Sequence, residues 1–191
     1  IFLDSPMAVD VTETFRKFRD CLDQETWKRI ASDEPPLHFP GLHLVRSAAD
    51  SKAINRLQEP CIVMASSGMC TAGRIKHHLR QNIGRAESTI VFVGYQAHGT
   101  LGRQILDRKS PVRIHGRNYP VRAEVVQLYG FSGHADRSAL WHWLEAFEQA
   151  PRRIFLTHGD EEAATCLRDR IQAEKGWNVS VPEYLTRESL D

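Results

Sequence analysis

The chain has 191 residues, 41% of them hydrophobic, enough for the core of one large domain or two small ones. No apolar run approaches the ~18–20 residues of a membrane helix, so no membrane partner is expected. Four cysteines (Cys21, Cys61, Cys70, Cys166) without a C-x-x-C pair exclude a zinc knuckle or a disulfide framework, and a reducing, cytoplasmic setting is expected.

Ile1-Phe2-Leu3 reads as a strand with no lead-in, so the chain is expected to begin inside a larger protein. Ser5 then caps a helix with Pro6 in its first turn, and Val9, Thr12, Phe15 and Phe18 form a stripe along it. Asp4 and Ser5 are within reach of a ligand, though capping is the simpler duty. Glu34-Pro35-Pro36 and Pro40-Gly41 place a loop over residues 31–41, followed by a strand at 42–45 and a helix at 48–57. His38 and His43 have no partner at ligand spacing and read as structural.

Pro60 to Ala65 is a continuous apolar run of the kind a doubly covered parallel strand shows. It stops at Ser66-Ser67-Gly68-Met69, and a helix resumes near Ala72. Strand, small-residue loop and helix form a layout that cradles phosphate, because backbone N–H groups and the helix dipole both favour an anion. The string is not G-x-x-x-x-G-K-[ST], so a nucleoside triphosphate is a weak expectation. His77 and His78 are helical neighbours about 100° apart and do not face one metal together.

Residues 88–94 repeat the strand signal and 95–103 the loop and helix start. Their glycines at 94, 99 and 102 do not match G-x-G-x-x-G, which makes a dinucleotide enzyme the weaker option. Residues 112–128 read as a hairpin with an Asn-containing turn at 116–118. The tally is an α/β fold with a largely parallel sheet and flanking helices.

Charge is segregated along this order. Residues 1–60 carry 8 basic and 10 acidic groups, 61–122 carry 10 and 2, and 123–191 carry 7 and 12. A basic middle third suits a polyanion touching one face. The ordinary alternative is a solvated surface neutralised by its acidic flanks.

Gly130-Phe131-Ser132-Gly133-His134-Ala135-Asp136 and Phe155-Leu156-Thr157-His158-Gly159-Asp160 share one design. Each has a histidine after a strand, a neighbouring Gly, and an Asp two residues on that is placed to cap a helix. Strand-to-helix junctions are where open α/β folds hold their chemistry, so His134 and His158 are the leading site candidates, with Asp136 behind His134. Alternatively, each is a turn residue satisfied by a local hydrogen bond.

Together with Asp4-Ser5-Pro6-Met7-Ala8, Ala65-Ser66-Ser67-Gly68-Met69 and Gly94-Tyr95-Gln96-Ala97-His98-Gly99-Thr100-Leu101, these motifs resemble the β-CASP branch of the metallo-β-lactamase superfamily, the RNA-processing ribonucleases. The resemblance covers essentially the whole chain. It implies that residues 1–128 are the distal part of a β-CASP domain and residues 129–191 the C-terminal segment of a metallo-β-lactamase domain. It also implies that His134 assists proton transfer near the scissile phosphate, and that His158 is a ligand to one of two zinc ions. By the same resemblance, single-stranded RNA is expected between the domains, held through its phosphates by Arg74, Lys76, Arg103 and the Ser66-Ser67-Gly68 loop. The family's H-x-H-x-D-H signature is absent among the nine histidines. The chain is therefore expected to be a C-terminal fragment, inactive alone, with the missing N-terminal half as its partner and a homodimer left open. The alternatives are a non-catalytic RNA-binding module or pseudo-enzyme subunit, and a nucleotide-dependent α/β enzyme.

Overall fold

In the computed structural model, which describes residues 1–32 and 39–190, strand β1 (Phe2–Leu3) is the middle member of a three-stranded parallel sheet. Its neighbours are β2 (His43–Leu44), with Phe2 opposite His43, and β3 (Val63–Met64), with Leu3 opposite Met64. The apolar run at 60–65 gives only these two β3 residues, and Cys61, Ile62 and Met64 are exposed. With those side chains exposed, double coverage is not what that run encodes here; β3 is an edge strand paired with β1. His38 and most of the loop expected over residues 31–41 lie outside the described residues.

Helix α1 (Pro6–Lys17) starts as its sequence requires, with the Ser5 hydroxyl accepting from the Ala8 N–H and Pro6 at the first position. Val9 and Thr12 are buried, whereas Phe15 and Phe18 are exposed, so the expected stripe is covered only along its first half. A 3-10 turn (Arg19–Cys21) and α2 (Gln24–Ala31), capped by Asp23, follow. Helix α3 (Ala48–Ile54) is capped by Ser47, and α4 (Ile75–Asn82) follows the small-residue loop.

Strands β4 (Thr89–Val93) and β7 (Glu124–Leu128) pair in parallel, with α5 (Leu101–Leu106) between them in sequence. The predicted hairpin is shorter than its sequence signal. Strand β5 (Val112–Ile114) pairs with β6 (Arg117–Tyr119) through a two-residue turn at His115-Gly116, both with positive φ (46° and 79°). That is the conformation a tight antiparallel hairpin demands, and Asn118 lies in the strand opposite Arg113. Leu79, Ile83, Phe92, Ile105, Val112, Ile114 and Val125 pack with Cys70 into one core.

The chain divides into two compact units, Ile1–Gly130 and a second one beginning at Phe131. In the second, α6 (Arg137–Glu145) and α7 (Glu161–Lys175) accompany a parallel pair, β8 (Ile154–Phe155) and β9 (Val179–Ser180). Trp141, Leu144, Ile171 and Val179 form its core, and Gly176 ends α7 in the left-handed conformation.

The first unit is tied at the end of β1. Asp4 is fully buried, and its two carboxylate oxygens accept from three side chains: Arg74 Nη1 on Oδ1 at 2.5 Å, and Ser51 Oγ and His78 Nε2 on Oδ2 at 2.6 Å each. Arg74 also donates to the carbonyls of Val45 and Arg46, so one guanidinium joins β1, the segment after β2, and α4. Burial alone pushes the Asp4 carboxyl upward, but the hydrogen bonds from Ser51, His78 and Arg74 and the Arg74 charge outweigh it, and its pKa lies below the ordinary value.

A carboxyl depressed in the folded state adds stability above its unfolded pKa of about 3.9, and that stability is lost as the pH falls through the folded value. Asp4→Asn leaves Arg74 without its counter-charge, and is expected to lower the unfolding free energy by about 3 kcal/mol in urea titrations at pH 7. The wild-type curve is expected to fall more steeply than that of the variant below about pH 4. Parallel acid limbs would remove Asp4 as the reporter.

Candidate functional site

The Ser66-Ser67-Gly68 loop folds back on itself before α4 begins. Ser67 N–H donates to Ala72 O, Cys70 N–H to Ser67 O, and Ile75 N–H to Ser66 O. The Ser66 hydroxyl bonds that of Ser5 at 2.8 Å, and the Ser67 hydroxyl bonds that of Thr71 at 3.3 Å. The N–H groups of Ser67, Cys70 and Ile75 are thus taken up by acceptors of the loop itself. The anion cradle is therefore narrower than the sequence suggests.

Two glycines close this loop. Gly73 has φ +78°, and a Cβ there would collide with the Ser66 carbonyl; Gly102 lies against the Gln96 side chain and donates its N–H to Met69 O at 3.0 Å. Gln96, itself buried, donates to Gly68 O at 3.1 Å and to Tyr95 O, so the second glycine-rich segment braces the first.

The three cations expected to hold phosphate differ in their freedom. Arg74 is committed to Asp4 and two carbonyls, and its role is to fix the loop from behind. Lys76 reaches Thr71 O at 3.5 Å, and Arg103 pairs with Asp107 at 2.9 Å while remaining about a third exposed. His77 and His78 diverge as the helical geometry requires: His78 is buried on Asp4, and His77 is exposed, its ring 4.7 Å from that of His115.

In the second unit, His134 and His158 are both exposed. His134 lies in a segment without a strand of its own, six residues after β7, and its N–H donates to Ser132 Oγ at 3.1 Å. Asp136 caps α6, its Oδ1 accepting from Ala139 N–H at 2.8 Å, and so performs the capping duty its position predicted. His158 follows β8 closely and has φ +64°, in the left-handed region where Asn, Asp and His are the enriched residues after Gly. Asp160 holds the N-cap position of α7 just beyond it.

No group of three or more His, Cys, Asp or Glu side chains able to enclose a metal ion occurs among the described residues. A structural or catalytic zinc needs three or four such ligands, so this chain's residues do not by themselves fit one. What it presents is two exposed imidazoles on one unit, and a braced loop beside partly free cations on the other. The sequence reading missed the carboxylate behind the loop, although Arg74 and His78, four residues apart on one helical face, were a signal that they share a partner.

The mixed α/β architecture with parallel strand pairs is consistent with a β-CASP domain. Residues 1–105 match the family model of the Beta-Casp domain, and residues 118–182 that of the Zn-dependent metallo-hydrolase RNA specificity domain. The chain belongs to the β-CASP branch of the metallo-β-lactamase superfamily. It is 39% identical to ribonuclease TTHA0252 of Thermus thermophilus over 184 residues, which cover 96% of this chain and 42% of that protein. Transcription termination factor FttA of Thermococcus kodakarensis is 34% identical over 97% of this chain and 29% of its own length, and that of Methanocaldococcus jannaschii is 29% identical over 90% and 28%. The chain thus spans less than half the length of these curated relatives.

Gly73→Ala is expected to destabilise the fold by about 1–3 kcal/mol, from the left-handed strain and the loss of space beside Ser66. Gly68 has open space at its Cβ position, so Gly68→Ala should change stability by less than about 0.5 kcal/mol and register only when an anion is bound. Urea midpoints with and without an RNA oligonucleotide separate the two effects.

Proposed function

We propose that this chain is the C-terminal portion of a zinc-dependent ribonuclease that hydrolyses RNA phosphodiester bonds. The observation that carries the reading is the pair of exposed histidines, His134 and His158, each followed two residues later by the N-cap of a helix. The matched RNA specificity domain and the similarity to a protein named a ribonuclease support it.

On this reading residues 1–128 belong to the β-CASP domain and residues 129–191 to the segment that completes the metallo-β-lactamase domain. The remaining metal ligands come from a preceding N-terminal half, and the present chain alone is inactive. Zinc, when bound to the complete ligand set, supplies a water of lowered pKa and a counter-charge for phosphate oxygen. His158 contributes one imidazole to that set, and His134 holds a proton for the leaving oxygen. Gly68, Lys76 and Arg103 contact the phosphates of a single strand, while Arg74 keeps their loop in place. A cytoplasmic setting and a homodimer belong to the same proposal.

The similarity to proteins named transcription termination factors favours a second reading, in which RNA is held and processed as part of ending a transcript. A non-catalytic RNA-holding subunit differs from both in needing no metal.

In the whole protein, His158→Ala is expected to lose zinc and hydrolysis together. His134→Ala should keep its zinc while turnover falls by about 10²–10⁴, the span for a general acid. Metal analysis alongside cleavage of a labelled oligoribonucleotide checks both. Equal metal loss in the two variants would show the roles to be misassigned, and a wild-type protein free of metal that still binds RNA would favour the non-catalytic subunit.

A further inference from the structure

A second basic feature lies on the first unit, between helices α3 and α4. Helices α3 and α4 flank a cavity of about 490 Å³, a size typical of ligand sites, and its wall carries Lys52, Arg56, Arg74 and Arg80 with no carboxylate among its lining residues. Arg74 is already neutralised by Asp4, whereas Lys52, Arg56 and Arg80 are exposed and form no ion pair among the described residues. Elsewhere in this unit Arg46, Arg85 and Arg103 are paired with carboxylates. Three like charges converging on one concave wall repel one another unless an anion enters.

The helical spacing makes the convergence specific. Ser51 and Asn55, and Lys52 and Arg56, are four residues apart on α3 and its C-terminal extension, and Arg74, His77 and Arg80 recur every three residues from the N-cap of α4. Each helix thus presents one polar edge to the same groove. Burial first, and then the positive neighbours His115, Arg80, His78 and Lys52, hold the His77 pKa below its ordinary value. A neutral imidazole and the Asn55 amide add hydrogen-bonding groups beside the charges.

We propose that the α3–α4 groove is a second phosphate-binding site, which holds consecutive backbone phosphates of single-stranded RNA. This deepens the RNA reading above without using either histidine motif, because it needs only charge and concavity. It is built from residues other than those of the Ser66-Ser67-Gly68 loop, so RNA contacting both would be gripped at two places on one unit.

The test is fluorescence anisotropy of the 191-residue chain with a labelled single-stranded octaribonucleotide across a salt series, with inorganic triphosphate and ADP as competing probes. The combined variant Lys52→Gln, Arg56→Gln, Arg80→Gln is expected to bind about 10–100-fold more weakly at low salt, and its log K against log salt slope should be shallower by about 2, from ~0.7 per phosphate contact on a single strand. The charge-keeping variant Lys52→Arg, Arg56→Lys, Arg80→Lys should stay within about threefold of wild type, which separates loss of charge from loss of fold. Wild-type affinity and slope in the neutral variant, or no RNA binding by the wild-type chain, overturn the proposal. Groove-dependent binding of triphosphate or ADP with RNA unaffected assigns the site to a free phosphate compound and overturns the RNA assignment. The ribonuclease reading fails on a different readout, hydrolysis by the whole protein.

Discussion

The first unit depends on one buried carboxylate. Asp4 sits at the end of β1 with no exposed surface, and an ionised group there is tolerable only because Ser51, Arg74 and His78 satisfy it from two helices. That requirement fixes the entry to α4 relative to β1, and Arg74 extends the constraint to the carbonyls of Val45 and Arg46. The Ser66-Ser67-Gly68 loop lies between β3 and α4, so its shape follows from this polar network. The network also borders the apolar core, because Leu79, next to the Asp4 partner His78 on α4, is one of its buried members.

Above that tie the loop is closed by exclusion of volume. Gly73 and Gly102 are small because the Ser66 carbonyl and the Gln96 amide occupy the space a side chain would need. Gln96 in turn holds Gly68 by its carbonyl. The result is a short stretch of backbone, Gly68-Met69, braced through its carbonyls by Gln96 and Gly102. The second unit works differently. His134 and His158 stay exposed, and what positions them is backbone conformation and the helix starts at Asp136 and Asp160.

Most elements were legible because local chemistry dictates them. Ser5-Pro6 and Asp136 start helices where their side chains accept the first free N–H groups, as expected; Asp23, Ser47 and Thr100 cap helices in the same way without having been assigned as caps from the sequence. The β-branched runs around 89–93 and 124–128 became strands, and the histidine motifs could be placed on linear strings. Less legible was anything needing a partner distant in sequence. The hairpin turn moved to His115-Gly116 because strand pairing selects two consecutive positive φ values, which outweighs the turn preference of Asn118. Arg74 reads as a phosphate ligand until Asp4, 70 residues earlier, is seen to hold it.

By itself, the sequence determined the α/β class, the order of strands, loops and helices, the basic middle third and the two histidine motifs, because propensity, capping and charge are carried by residues within a few positions of one another. Only the tertiary structure decided which cations are free. It paired Arg74 with Asp4 and Arg103 with Asp107, and left Lys52, Arg56 and Arg80 facing one groove. Whether a charge is available to a ligand depends on which opposite charge lies within a few ångströms, and that distance is set by packing and not by position along the chain.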